Sequence, residues 1–431
     1  MFKNKKILIS SIIILSVLML VGIYFIPPVH ERLAWRFDNL RADIFYAFNP
    51  PEEVVFNPTQ QEELSALVES TLTAMAPELT ATLAPTATLT NYISPTPSQT
   101  SLPSATPTQL PKAVRLEGIT HEYQKFNNCG PANLSMALSY WGWEGDQYVT
   151  AAYLKPNQQD RNVMPYEMVD FIETQTDLNA ILRYGGDLDL IKRFVAAGFP
   201  VLVERGFVVE KKGWMGHYGV ISGYDDGKQQ FFIPDSYEGE RGLDYDELDH
   251  YWHHFDDAYM VIYPPEREGE VFQLLGEHAD EAYNIAFTAE KVSEAIHTTQ
   301  GRENFFAWYG RGNMLVKMND YLGAAEAYDQ AFAIYEDLAY LDRPWRIVWY
   351  QTGPYFAYYY TGRYYDVISL ADQTLSLSIE PAIEETWVWR ARAKIALGDV
   401  DSAIEDLREA LKWHPGWWVA EVELQALGIE P

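Results

Sequence analysis

Cysteine is almost absent: one residue of 431, Cys129. That excludes an internal disulfide and any multi-thiolate metal site. Positive charge is scarce too, with 32 Lys and Arg against 61 Asp and Glu and a net charge of −29. Such a chain repels phosphate backbones, so no nucleic acid is expected as a partner. There is no collagen-like glycine period and only one long apolar run, so a fibre or a multi-pass transporter is set aside. What is present is 48% hydrophobic and 14% aromatic residues, enough for real cores, over a length that suggests two or three folded units.

The single apolar run extends from Ile7 to Ile26, behind Lys3, Lys5 and Lys6. It has about the 20 residues a helix needs to cross a bilayer. It ends in Pro27-Pro28 without a small-residue cleavage site, so it reads as an uncleaved signal anchor. The lysines place residues 1–28 as a cytoplasmic start and transmembrane segment, with the bulk of the chain extracellular. Residues 29–70 are expected as a juxtamembrane helical stalk. Within it, Trp35, Phe37, Leu40, Ile44 and Phe45 alternate with Arg32, Arg36 and Arg41, which suits either an interfacial amphipathic helix or a plain stalk. Residues 71–112 are rich in Thr, Pro, Ser and Ala and predict a flexible linker.

Cys129 lies in Asn127-Asn128-Cys129-Gly130-Pro131-Ala132, and after it Leu134, Leu138 and Trp141 recur at helical spacing, predicting a helix with one apolar face. Pro131 suits the first turn, where its missing N–H is no loss. A thiol at that end is favoured as thiolate by the free N–H groups and the macrodipole. The alternative, a structural cysteine, would prefer apolar neighbours to Asn127, Asn128 and Gly130. Of nine histidines, His217 is best placed as a base, in the glycine-punctuated strand Gly213 to Tyr224, where flanking glycine leaves its ring accessible. The next strand ends at Asp235, which would orient the imidazole if the two strands pair. Gln124 could direct its amide at a developing oxyanion.

Gln124-x4-Cys129-Gly130-Pro131-Ala132, then Gly216-His217-Tyr218, then Asp235 after the following strand, together resemble the double-glycine leader peptidases, and among them the stand-alone peptidase-like branch. The similarity runs from about Val114 to Pro264. It includes Leu243 to Leu248 leading to Trp252, which resembles the closing turn and helix, and a last strand from Ala258 to Tyr263. The resemblance implies a papain-like α+β cysteine peptidase domain over residues 113–265, with Cys129 as nucleophile, His217 as general base, Asp235 orienting it and Gln124 completing the oxyanion hole. The exporter modules of that family are missing, so leader processing during export is not implied.

Other constellations are weaker. His250, His253 and His254 lie beside Asp249, Asp256 and Asp257, residue types that suit zinc, but their segment reads as a structural helix with exposed polar residues. The acidic run from Asp244 to Asp257 lacks the glycine and final glutamate of a calcium loop. His121 stands too close to Gln124 to be the strand-borne base, and Trp214 and Tyr218 read as core. No metal or other cofactor is expected.

Residues 270–431 turn helical and self-similar. Asn319-Asp320-Tyr321, Gly362-Arg363-Tyr364 and Gly398-Asp399-Val400 each follow one helix and open another, a helical-hairpin unit that resembles tetratricopeptide repeats. A degenerate further unit is suggested between Phe272 and Ile296. Such an all-α solenoid usually binds a peptide or protein partner in its concavity, and most of its tryptophans should be packing residues. The expectation is a membrane-anchored, extracellular cysteine peptidase acting on peptide or protein substrates. Two alternatives are a weakly active or inactive peptide-binding scaffold and a cell-wall amidase.

Overall fold

The computed structural model describes residues 14–16, 18–19, 21–58, 110–209 and 212–431. Most of the expected signal anchor, the stalk beyond residue 58 and the linker as far as residue 109 lie outside them. Among the described residues no helix is long and apolar enough to cross a membrane.

Helix α1, Pro27–Phe48, starts on prolines, whose fixed φ suits a first turn. Its far end is not a free-standing stalk. Arg41 pairs with Glu380, and the Tyr46 ring packs 5.2 Å from Trp345. After a 3₁₀ turn, Pro51–Glu53, Phe56 is buried edge-on against Phe332 at 4.8 Å. Apolar contact of this kind outweighs solvation of the segment, so residues 41–58 strap across the folded body.

The next unit comprises β1 (Ala113–Arg115), α2 (Cys129–Ser139), α3 (Gln147–Leu154), α4 (Pro165–Gln175), β2 (Asn179–Arg183) and α5 (Leu188–Ala196). It continues with β3 (Val201–Val209), β4 (Gly213–Ile221), β5 (Gly223–Asp225), β6 (Gln230–Asp235), β7 (Gly239–Asp244), α6 (Tyr245–Trp252) and β8 (Tyr259–Tyr263). Two antiparallel sheets result, ordered β2-β8-β3-β4 and β1-β5-β6-β7. The chain passes from one to the other at Ser222, whose N–H bonds to Phe232 O at 2.9 Å. Leu134 and Leu138 of α2 share a core with Tyr218 and Val220 of β4 and Met260 and Ile262 of β8. On the other side, Phe194 and Val195 of α5 pack with Val201, Val203 and Val261. Helix α2 is not amphipathic in place: every residue from Gly130 to Leu138 is buried. Its apolar stripe meets the sheet, and its polar side chains Asn133 and Ser135 find hydrogen-bond partners inside, as buried polar groups must.

The remaining helices are α7 (Glu268–Leu275), α8 (Glu281–Thr298), α9 (Gly301–Lys317), α10 (Tyr321–Asp337), α11 (Ile347–Tyr350), α12 (Gly353–Tyr360), α13 (Tyr364–Ser376), α14 (Glu384–Ala396), α15 (Val400–Trp413) and α16 (Trp418–Ala426). The three self-similar segments open α10, α13 and α15. Asp320 and Asp399 cap the first and third by accepting from Gly323 and Ser402 N–H. The middle one carries Arg363 instead, fully buried and paired with Asp329 and Asp366 at 2.8 Å each.

The helical array is fused to the sheet domain. Arg346 Nη1 donates to Lys212 O and Trp214 O at 2.8 Å, Gln351 Nε2 to His254 O at 2.7 Å, and Arg161 Nη2 to Glu380 O at 3.2 Å. Of the tryptophans, Trp345, Trp349, Trp389, Trp413 and Trp417 are buried, while Trp418 is exposed.

Candidate active site

Cys129 is the first residue of α2, at its unsatisfied N–H end, and is partly exposed. Its sulfur lies beside the His217 ring and the Tyr218 backbone N–H, both of which favour the thiolate. His217 Nε2 lies 2.9 Å from Asp235 Oδ2, so Nδ1 is the nitrogen left for the sulfur. Asp235 is held in turn: Oδ1 accepts from Tyr237 N at 2.7 Å and Glu238 N at 2.8 Å, and Arg205 Nη2 lies 3.6 Å from Oδ2. The ring of Phe207 stacks on His217 at 4.8 Å, and the Arg205 guanidinium lies over Phe207.

Two expectations about this geometry are corrected. His217 and Asp235 do not meet through a pair of hydrogen-bonded strands: β4 pairs with β3, and β6 pairs with β5 and β7. They meet because the bend at Ser222 folds the second sheet beside the first. Nor does glycine leave the imidazole open, since His217 is 3% exposed. A side chain on Gly216 would strike Phe255 Cζ at 2.7 Å and Tyr350 at 3.1 Å, so this glycine admits the helical array onto β4.

Burial alone would raise the Cys129 pKa. The hydrogen bond and charge of His217, the Lys155 ammonium and the Tyr218 N–H outweigh it and hold the thiol below its ordinary value. Burial likewise opposes protonation of His217, yet the Asp235 charge, its hydrogen bond and the sulfur lift the imidazole to about 9. Asp235, which burial would push up, is held well below the usual carboxylate range by His217 and the two N–H donors. Both shifts favour a thiolate–imidazolium pair over the neutral thiol and imidazole. Glu204, on β3 opposite Tyr218, is pushed well above its ordinary value by burial.

Gln124 enters the same cavity through a chain of hydrogen bonds. Its Oε1 accepts from Ser236 Oγ at 2.8 Å, and its backbone N donates to Ser236 O at 2.8 Å. Asn133 Nδ2 reaches Ser236 Oγ at 2.9 Å and Cys129 O at 2.8 Å. With Oε1 engaged, the Nε2 donor is the end of Gln124 available to a ligand. Sequence reasoning missed Ser236, Asn133, Arg205 and Phe207. The one signal was position: Ser236 adjoins Asp235, and Asn133 is one helical turn beyond Cys129.

Cys129, Gln124 and His217 line a cavity of about 1230 Å³. Asp43 and Tyr46 of α1 form part of its wall, and Trp345, Trp349 and Tyr350 of the helical array form another part. These come from segments that read as stalk and repeat packing.

The other constellations are structural in place. His254 and the neighbouring Asp256 and Asp257, expected to be exposed, are buried. His254 Nδ1 accepts from Trp214 Nε1 at 3.0 Å and its Nε2 meets Glu303 at 2.8 Å, Asp256 bonds Asn313 at 2.8 Å, and Asp257 bonds His253 at 2.5 Å. They became buried because the helical array covers the turn that follows α6, which a local pattern cannot show. His121 Nε2 lies 2.9 Å from Asp235 O, a long-range contact rather than a local one, and Trp214 and Tyr218 are core.

Residues 115–264 match the Peptidase_C39 like family, and residues 384–416 match a tetratricopeptide repeat. No curated protein matches the chain. Similar solved structures include a putative C39-like peptidase from Bacillus anthracis, with 16% identity over 35% of this chain and 98% of that one and a TM-score of 0.31. A double glycine motif protease from an AMS/PCAT transporter, solved in complex with the leader peptide, has 16% identity over 35% of this chain and 94% of that one, TM-score 0.28. Xylellain, a cysteine protease from Xylella fastidiosa, has 15% identity over 36% of this chain and 87% of that one, TM-score 0.28. The chain carries a C39-like peptidase domain followed by a tetratricopeptide-type helical region.

Proposed function

We propose that the protein hydrolyses peptide amide bonds through Cys129. The Cys129 thiolate attacks the scissile carbonyl, and the Cys129 backbone N–H and Gln124 Nε2 receive the oxyanion. The His217 imidazolium gives its proton to the leaving amine, which departs as the thioester forms. Neutral His217 then takes a proton from water, whose hydroxide displaces the sulfur and releases the acid. Asp235 keeps the ring oriented and stabilises its charged form. The observation that carries this reading is the His217 ring, hydrogen-bonded to Asp235 and beside the Cys129 sulfur, with Cys129, His217 and Gln124 lining one cavity.

Trp345, Trp349 and Tyr350 support a role for the helical array in binding the substrate chain, since they wall the same cavity. The apolar run Ile7–Ile26 behind Lys3, Lys5 and Lys6 supports a single-pass anchor with the domain outside the cell. A thiol-selective electrophile at neutral pH is expected to label wild type and spare His217→Ala, and new amino termini on intact membranes are expected to vanish with Cys129→Ser. Equal labelling of both chains, or an unchanged set of termini, would return the domain to a binding role.

A further inference from the structure

Away from Cys129, three side chains meet where the peptidase-like domain abuts the helical array. Asp160 lies on the loop between α3 and α4, Glu384 is the first residue of α14, and His414 follows α15. Each is at least nine-tenths buried, with 2%, 3% and 9% exposure. One ligand atom from each lies within 4.8 Å of the others. Glu384 Oε1 faces His414 Nδ1 at 2.7 Å, and Asp160 Oδ1 accepts from Asn162 N at 3.2 Å. The second oxygens, Asp160 Oδ2 and Glu384 Oε2, are buried and have no hydrogen-bond partner among the described residues. Two unmet carboxylate oxygens in one interior are unusual, because each buried acceptor without a partner is strongly unfavourable.

The cations beside this cluster, Lys155 and Arg161, do not bond either unmet oxygen. Lys155 Nζ, the nearest ammonium, spends its hydrogen bonds on the backbone oxygens of Asn127 and Asp160, both at 3.0 Å. The Arg161 guanidinium turns to Glu380 O and to the Phe126 and Trp349 rings. Glu167 and Glu385 crowd further carboxyl groups into the same cluster. Two carboxylates and an imidazole at this spacing are the donor set of a three-ligand zinc-type centre, whose metal–ligand distances are about 2.0–2.2 Å. His414 also lines an inter-domain cavity of about 780 Å³, which offers a path of entry and room for a water ligand.

We propose that Asp160, Glu384 and His414 bind one divalent transition-metal ion of the zinc type, clamping the peptidase-like domain to the helical array. The clamp reaches the cleft: Asn127, two residues before Cys129, donates its side-chain amide to Asp160 O at 3.1 Å. This site uses none of the residues assigned to hydrolysis, so it stands whether or not Cys129 is a nucleophile.

The test uses the full chain in detergent, stripped with a chelator and titrated with ZnCl₂ and with MnCl₂. Calorimetry is expected to give one ion per chain, and thermal unfolding a metal-dependent rise in Tm. Glu384→Gln and Asp160→Asn should each weaken binding by more than about tenfold and abolish the rise. Both keep the size and shape of the side chain, so without metal they should unfold close to stripped wild type, which separates lost binding from lost folding. Glu303→Gln, which disables the other nearby His–Glu grouping, should keep the full rise. No saturable binding of either ion, or a Tm rise that survives Glu384→Gln combined with Asp160→Asn, would overturn the proposal.

Discussion

His217 Nε2 lies 2.9 Å from Asp235 Oδ2 although strands of different sheets carry the two residues. The pair is buried, and its hydrogen bond assigns the ring: Nε2 donates to the carboxylate, and Nδ1 faces the sulfur. Asp235→Asn removes the largest influences that lift His217 and leaves burial opposing protonation, so the imidazole should fall from about 9. Peptide turnover is expected to drop by about a thousandfold or more. NMR titration of the His217 ring, read beside the turnover, checks both.

The pH profile follows from the signs of the two shifts. Attack needs the thiolate, which persists above a thiol pKa held below its ordinary value, and departure of the amine needs the imidazolium, which is lost as pH rises through about 9. Turnover should therefore form a plateau that falls on the acid side through the Cys129 pKa and on the alkaline side near pH 9. Alkylation of Cys129 by iodoacetamide needs only the thiolate and should not fall above pH 9. In His217→Ala the alkylation midpoint should move to higher pH.

Gln124→Ala should lower kcat roughly a hundredfold, as loss of one oxyanion donor does elsewhere. Ser236→Ala releases Gln124 Oε1 without touching the sulfur, so its loss should be smaller, with Cys129 alkylation unchanged. A matching fall in alkylation would mean that Ser236 supports Cys129 rather than Gln124. Steady-state kinetics and alkylation rates separate the two.

Gly216→Ala places a methyl group 2.7 Å from Phe255 Cζ and 3.1 Å from Tyr350. The expected destabilisation is about 1–3 kcal/mol, the range for overpacking a closed interior. Gly219→Ala on the same strand meets only Ile233 at 3.7 Å and should change stability far less. Denaturant unfolding of the two variants measures the difference.

Much of the local framework was legible in residue order. Cys129-Gly130-Pro131 announces a helix start, Gly216-His217-Tyr218 a strand, and the Asp320 and Asp399 caps the second helices of their hairpins. Each is a signal carried by neighbours in the chain. The burial of α2 on every side was not legible, because Asn133 and Ser135 read as polar until Ser236 and Glu122 arrive from elsewhere to pair with Asn133 Nδ2 and Ser135 Oγ. The same holds for His254, which only Glu303 and Trp214 together make a core residue.

Order along the chain by itself determined which segments become helix or strand, the scarcity of thiols and the acidic charge, since these depend on side-chain period and composition alone. Tertiary structure alone decided that Asp235 reaches His217 around the Ser222 bend, and that Tyr46 and Trp349 wall the cavity of Cys129. It also decided that Asp160, Glu384 and His414 converge. The physical reason is that proximity across hundreds of residues is set by which apolar faces bury one another, and polar groups take their partners from whatever that packing brings near.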